Sequence, residues 1–171
     1  GRRRPAARFA GGGPALTLGL PAAAVFQVDS TNRTVSGLIL PWDTEARSGG
    51  RTWSFPPGSV TYGADTSRVK LWVDHDVTKA VGFAATLENR PDADIPGLYG
   101  TFKVARGADG DAALASAEDH VRDGFSVGIA EGGQYEERDG VTYAIAAPLM
   151  ETSLTPAPAF DDARVHDVAA I

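Results

Sequence analysis

The sequence predicts a mainly β protein of the α+β class, folded as a small barrel with helical decoration. Three observations carry this expectation. Short apolar runs recur from Leu16 to Thr155, broken by Gly, Pro, Asn and Asp. One segment alone, between Asp109 and Gly124, repeats apolar residues at helical spacing. The 171 residues are enough for one domain with a real core and not comfortably two.

The elements follow in order. Residues 1–14 read as a basic, Gly-rich arm, Arg-rich at first and ending in Gly11-Gly12-Gly13-Pro14. Such a segment cannot bury enough apolar surface to offset its ordering entropy. Its charge would suit an acidic partner or nucleic acid, although a charged tail is by default simply solvated. The domain proper is expected over 15–171. Ala24 to Val28 reads as a strand, Asp29 to Arg33 as a turn, and Thr34 to Leu40 as the next strand, ended by Pro41. Residues 43–67 read as irregular, punctuated by Ser48-Gly49-Gly50 and Pro56-Pro57-Gly58. Val69 to Val73 alternates cleanly. Ala80 to Leu87 and Leu98 to Val104 follow as strands around a loop holding Pro91 and Pro96.

The helix can be capped by Asp109 or Asp111, with Leu114, Ala117 and Val121 on one face. Gly124 stands where a left-handed residue would end it. Phe125 to Ala130 is then a strand, Glu131 to Gly140 a polar connection, Val141 to Ala146 a return strand and Leu149 to Thr155 a last one.

Composition excludes several functions. Hydrophobic residues at 43% and charged residues at 22% are ordinary for a globular protein, so fibrous and wholly disordered classes fall away. No cysteine is present, which removes disulfides, thiolate metal sites and a cysteine nucleophile together. A net charge of −6 does not suit specific nucleic-acid binding by the domain. No apolar run reaches the about 18 residues of a membrane-spanning helix. There is no Walker loop, dinucleotide fingerprint or convincing metal spacing, so neither cofactor nor metal is expected. The start, Gly1-Arg2-Arg3-Arg4-Pro5, lacks Met and has no apolar signal core behind it. The chain is therefore expected to be cut or trimmed from a longer product.

Three residues stand out for chemistry. His75 follows the strand Val69 to Val73 and by parity shares its apolar face, between the carboxylates of Asp74 and Asp76. The plainer account is a satisfied histidine at a strand end. Ser126 lies in Phe125-Ser126-Val127-Gly128-Ile129, where odd positions are bulky and even ones small. One face can pack a core while the other leaves room beside a hydroxyl, as a serine nucleophile requires. Small residues beneath a second layer would look the same. The Gly-x-Ser-x-Gly spacing is present, but the order helix–turn–strand disfavours an α/β-hydrolase elbow. Glu151 is an acid inside the apolar run Leu149 to Leu154. Buried, it needs a partner, and an imidazole would suit; an edge-strand glutamate facing water is the alternative. His120, on the polar helix face, and His166, near the end, read as solvated.

Taken in order, these segments resemble a known family. Val73-Asp74-His75-Asp76 is followed by Ala80-Val81-Gly82, by Gly97-Leu98-Tyr99-Gly100 and by Gly124-Phe125-Ser126-Val127-Gly128. Leu149-Met150-Glu151-Thr152-Ser153-Leu154-Thr155-Pro156-Ala157-Pro158-Ala159 comes last, and Phe55-Pro56-Pro57-Gly58-Ser59-Val60 lies upstream. The set resembles the prohead maturation serine proteases of tailed bacteriophages, over about Thr34 to Val165. The resemblance implies a small β-barrel of the herpesvirus assemblin type with flanking helices. It implies a serine endopeptidase that cleaves scaffold segments from the major capsid protein precursor, and then itself, inside the procapsid in the bacterial cytoplasm. By motif, Ser126 matches the nucleophile, His75 the base and Glu151 the acid. Herpesvirus relatives use a second histidine, which keeps His120 open as the orienting group, and they dimerise, which makes a homo-oligomer the analogous expectation. The competing expectation is a protease-like structural domain retained in the capsid as scaffold or decoration, as part of a fusion with a capsid protein. A β-barrel binding module with no capsid role is a third.

Overall fold

The computed structural model describes residues 13–14, 16–19 and 26–156. Of the expected arm only Gly13 and Pro14 fall within this range; the rest of it, and residues 157–171 with His166, lie outside the described residues.

Twelve strands, one α-helix and a short 3-10 turn make up the described elements. The strands are β1 (Leu16–Gly19), β2 (Phe26–Asp29), β3 (Thr34–Pro41), β4 (Ala46–Ser48), β5 (Arg51–Ser54) and β6 (Val60–Thr61). They continue with β7 (Lys70–Val73), β8 (Asp76–Arg90), β9 (Gly97–Val104), β10 (Gly124–Ile129), β11 (Gln134–Arg138) and β12 (Val141–Thr155). Between β9 and β10 lies α1 (Ala108–Glu118). The main path of the sheet runs β1-β10-β12-β7-β8-β9-β3-β2. It curls into a half-barrel. The β expectation therefore holds, with one α-helix and a three-residue 3-10 turn, Thr66–Arg68, among the described residues.

Inside the curl lies one core. Leu71 of β7, Val81 of β8, Phe102 of β9, Phe125, Val127 and Ile129 of β10, and Leu154 of β12 are all buried in it. The Phe125 ring meets Phe26 of β2 at 5.1 Å and Phe102 of β9 at 5.4 Å between centroids, which ties β10, near one end of the sheet path, to two strands toward the other. Each such side chain contributes about 1.5–3 kcal/mol on burial. The odd positions of β10 thus do what their bulk suggested.

Several elements differ from expectation, each for a local reason. β8 has 15 residues, not the eight from Ala80 to Leu87, because most of it is exposed on both faces and carries no apolar alternation. β12 is likewise one strand of 15 residues that passes through Pro148. Pro148 sits where the strand changes neighbours: its first part pairs with β11 and β5, its last with β10 and β7. The polar connection 131–140 contains β11, a strand with one side in solvent. Residues 43–67 hold β4, β5 and β6, too short and mixed to show a period.

The helix starts without a side-chain cap. Gly107 is the N-cap at φ 114°, and Asp109 and Asp111 instead stand in the first turn, where carboxylates favour the positive end of the helix dipole. Leu114 and Ala117 are buried, as expected, but α1 stops at Glu118 and Val121 is 54% exposed. The left-handed residue after the helix is His120, at φ 59°; Gly124 opens β10.

Candidate active site

Three neighbouring strands build the site. β12 lies between β10, its antiparallel neighbour, and β7, its parallel one. Ser126 of β10 stands opposite Ser153 of β12, and Gly128 stands opposite Glu151. Residues directly opposite in a pair point to the same face, so all four share one. That face is the reverse of the one on which Phe125 and Val127 enter the core.

Gly128 is there because nothing larger fits: a β-carbon would run into the Glu151 carboxylate and Pro14. The small even face of β10 therefore receives a carboxylate, where open space for substrate was expected. All six residues of β10 are buried.

His75 arrives from the third strand. β7 ends at Val73, which pairs with Asp76, so Asp74 and His75 are the whole of a two-residue hairpin loop. Their φ values are 52° and 55°. Positive φ at both central positions is the signature of a type I′ turn, normally filled by Asn-Gly or Asp-Gly. This explains why strand parity fails for His75. The residue lies beyond the strand, and its ring meets the face of Ser126, not that of Leu71.

Hydrogen bonds hold the turn against β12. The Asp74 N–H donates to the Leu154 carbonyl at 3.0 Å, and the His75 N–H donates to Ser153 Oγ at 2.9 Å. On its exposed flank, Asp74 accepts from Arg122 Nη2 at 2.8 Å and from its Nε at 3.1 Å. These bonds, with the carboxylate's charge behind them, raise the basicity of the Arg122 guanidinium above its ordinary value. Arg122 precedes β10, so the pair ties the histidine turn to the segment that leads into Ser126.

The imidazole bridges two side chains. Nε2 lies 2.7 Å from Ser126 Oγ, and Nδ1 lies 2.5 Å from Glu151 Oε1. The second carboxylate oxygen, Oε2, accepts from Ser153 Oγ at 2.7 Å. Glu151 is fully buried, and the His75 side chain is 13% exposed. With the ring proton on Nδ1 donated to Glu151, Nε2 is free to accept the Ser126 hydroxyl proton. A hydroxyl, a base and an orienting acid in that sequence can generate a serine nucleophile at neutral pH.

The structure therefore brings together Ser126, His75 and Glu151. Glu151 is an interior-strand residue, not an edge one in water. His120 is elsewhere: its side chain is 81% exposed, and its Nδ1 faces Asp123 Oδ2 at 3.2 Å. The position beside His75 Nδ1 that an orienting histidine would fill belongs to Glu151. Sequence reasoning assigned no role to Ser153 or Arg122. A serine in a strand and an arginine after a helix carry no pattern of their own; only the two-residue turn brings them to the histidine. Among the described residues, no group of three or more His, Asp or Glu side chains could hold a metal ion. No described helix is long and apolar enough to cross a membrane.

The architecture is not new. The fold is similar to that of the bacteriophage T4 capsid assembly protease, gp21. The TM-score is 0.57 at 13% sequence identity, over 81% of this chain and 94% of that one. Likeness at this identity is likeness of fold. No family model matches the sequence, and no curated protein matches it at a significant level.

Proposed function

We propose that this chain is a serine endopeptidase of phage capsid maturation, with Ser126 as nucleophile, His75 as general base and Glu151 as the acid that orients it. The observation that carries the reading is the His75 ring, bonded at once to the Ser126 hydroxyl and to a fully buried carboxylate. The fold shared with a capsid assembly protease supports the biological setting.

In the proposed reaction, His75 Nε2 takes the proton of Ser126 as Oγ attacks the scissile carbonyl. Glu151 keeps the ring in the tautomer with Nδ1 protonated and stabilises the imidazolium that forms. His75 then returns the proton to the leaving amine, the acyl-enzyme forms, and water enters by the same route in reverse. No cofactor is required.

The substrates in this reading are the major capsid protein precursor with its scaffold segment, and the protease itself, inside the procapsid. We take the half-barrel to be of the herpesvirus assemblin type, one protease domain over 15–171 carrying a basic arm over 1–14, and self-association to follow by analogy. The test is co-expression with the capsid precursor. Ser126→Ala is expected to fold as the parent does and to leave the precursor uncut. Complete processing by that variant would overturn the assignment.

A further inference from the structure

The hydroxyl of Ser153 has two partners and no route to solvent. It is fully buried, so it cannot meet a substrate. It stands opposite the nucleophile, since Ser126 and Ser153 are paired across β10 and β12. Its oxygen accepts the main-chain N–H of His75 at 2.9 Å, and its proton goes to Glu151 Oε2 at 2.7 Å. The other carboxylate oxygen, Oε1, faces His75 Nδ1 at 2.5 Å. These contacts close a ring: histidine backbone, serine hydroxyl, carboxylate, histidine side chain.

We propose that Ser153 is a positioning residue, whose hydroxyl locks the backbone of the His75 turn to the Glu151 carboxylate so that Nε2 is held toward Ser126. The proposal rests on the proteolytic reading above and adds a fourth member to its machinery. The chemistry explains the residue type. The position needs a group that accepts and donates at once in a space with no water, and a hydroxyl does both. Alanine can do neither; it would leave a buried N–H and a carboxylate oxygen without their partner. The turn gives the lock its purpose. Asp74 and His75 both occupy left-handed backbone without a glycine, and such residues persist only where their surroundings hold them. With both carboxylate oxygens engaged, Glu151 cannot rotate away from the ring. With its own N–H engaged, His75 cannot carry the ring away from Glu151.

The experiment compares the parent chain with Ser153→Ala and Ser153→Thr, using the capsid precursor as substrate. Circular dichroism and the thermal midpoint monitor folding. Ser153→Ala is expected to lower kcat about 10- to 100-fold, the scale known for hydrogen-bond partners that orient metal-ligating histidines, with KM unchanged. Ser153→Thr restores a hydroxyl and should recover most of that loss, which a merely space-filling role would not produce. A second readout needs no substrate: the His75 Nδ1 proton in the NMR spectrum, far downfield in the parent, should shift or broaden in Ser153→Ala. Unchanged kcat together with an unchanged resonance would overturn the proposal. A parent chain that cleaves nothing would instead sink the proteolytic reading, and the resonance would still decide whether Ser153 governs the ring.

Discussion

Two hairpin turns in this molecule share a backbone and differ in purpose. Asp139–Gly140 joins β11 to β12 with φ values of 51° and 80°; Asp74–His75 joins β7 to β8 with 52° and 55°. The first uses glycine where the left-handed conformation is free of steric cost. The second puts an imidazole there, at a cost of roughly 1–2 kcal/mol for a β-carbon in that conformation. Three contacts offset it: the Leu154 carbonyl, the Ser153 hydroxyl and the Arg122 guanidinium. A turn that only reverses the chain takes the least strained residues. The turn that carries the proposed base accepts strain and is held from outside.

The contrast can be broken by giving the second turn the chemistry of the first. His75→Gly makes the loop Asp-Gly, which suits the backbone. The hairpin is expected to survive, seen as a retained circular dichroism spectrum, while precursor cleavage falls by at least about 10⁴-fold, the scale of removing a triad base. Cleavage within tenfold of the parent would mean that the ring is not the base.

The reverse change is milder. Gly140→Ala places a β-carbon at φ 80°, with nothing within 4 Å to obstruct it, so only backbone strain is added. The expected loss is about 1 kcal/mol of unfolding free energy in urea, with cleavage unchanged. A loss of activity there would show that the two turns are coupled, which their places on different strand pairs, β11–β12 and β7–β8, argue against.

The smallest effect lies at Asp76, the residue after the His75 turn. The Asp76 carboxylate is held below its ordinary value of 3.8 by hydrogen bonds from the Thr78 hydroxyl and then the Thr78 N–H. The unfolded chain therefore binds this proton more readily than the folded one. Its stabilising contribution is present above pH 3.8 and fades as pH falls through the lower folded-state value. Asp76→Asn should flatten that part of the acid limb slightly in a pH series of thermal midpoints. A steeper limb in the variant would contradict the sign.

The same contrast explains what was legible in the sequence. Ser126 and Glu151 sit in strands, and strands have a period: bulk at 125, 127 and 129 marked the core face, and an acid among apolar residues marked a buried partner. His75 was found as a residue but placed on the wrong face, because parity was carried past Val73 into a turn. Asp-His does not resemble the Asn-Gly or Asp-Gly that announces a type I′ hairpin, so the loop itself was invisible. The full lengths of β8 and β12 were also hidden, the first by exposure on both faces and the second by Pro148. Ser153 stands in the last motif without a role of its own, since its bond to the His75 N–H spans 78 positions and exists only once that turn has formed.

The central claim is that His75 makes Ser126 reactive. The most direct measurement is covalent labelling by a serine-reactive phosphonate, with the modified residue located by mass spectrometry in the parent and in His75→Gly. The account predicts one label, on Ser126, in the parent and none in the variant. A label that lands on another serine, or that forms on Ser126 equally fast without the imidazole, would contradict it.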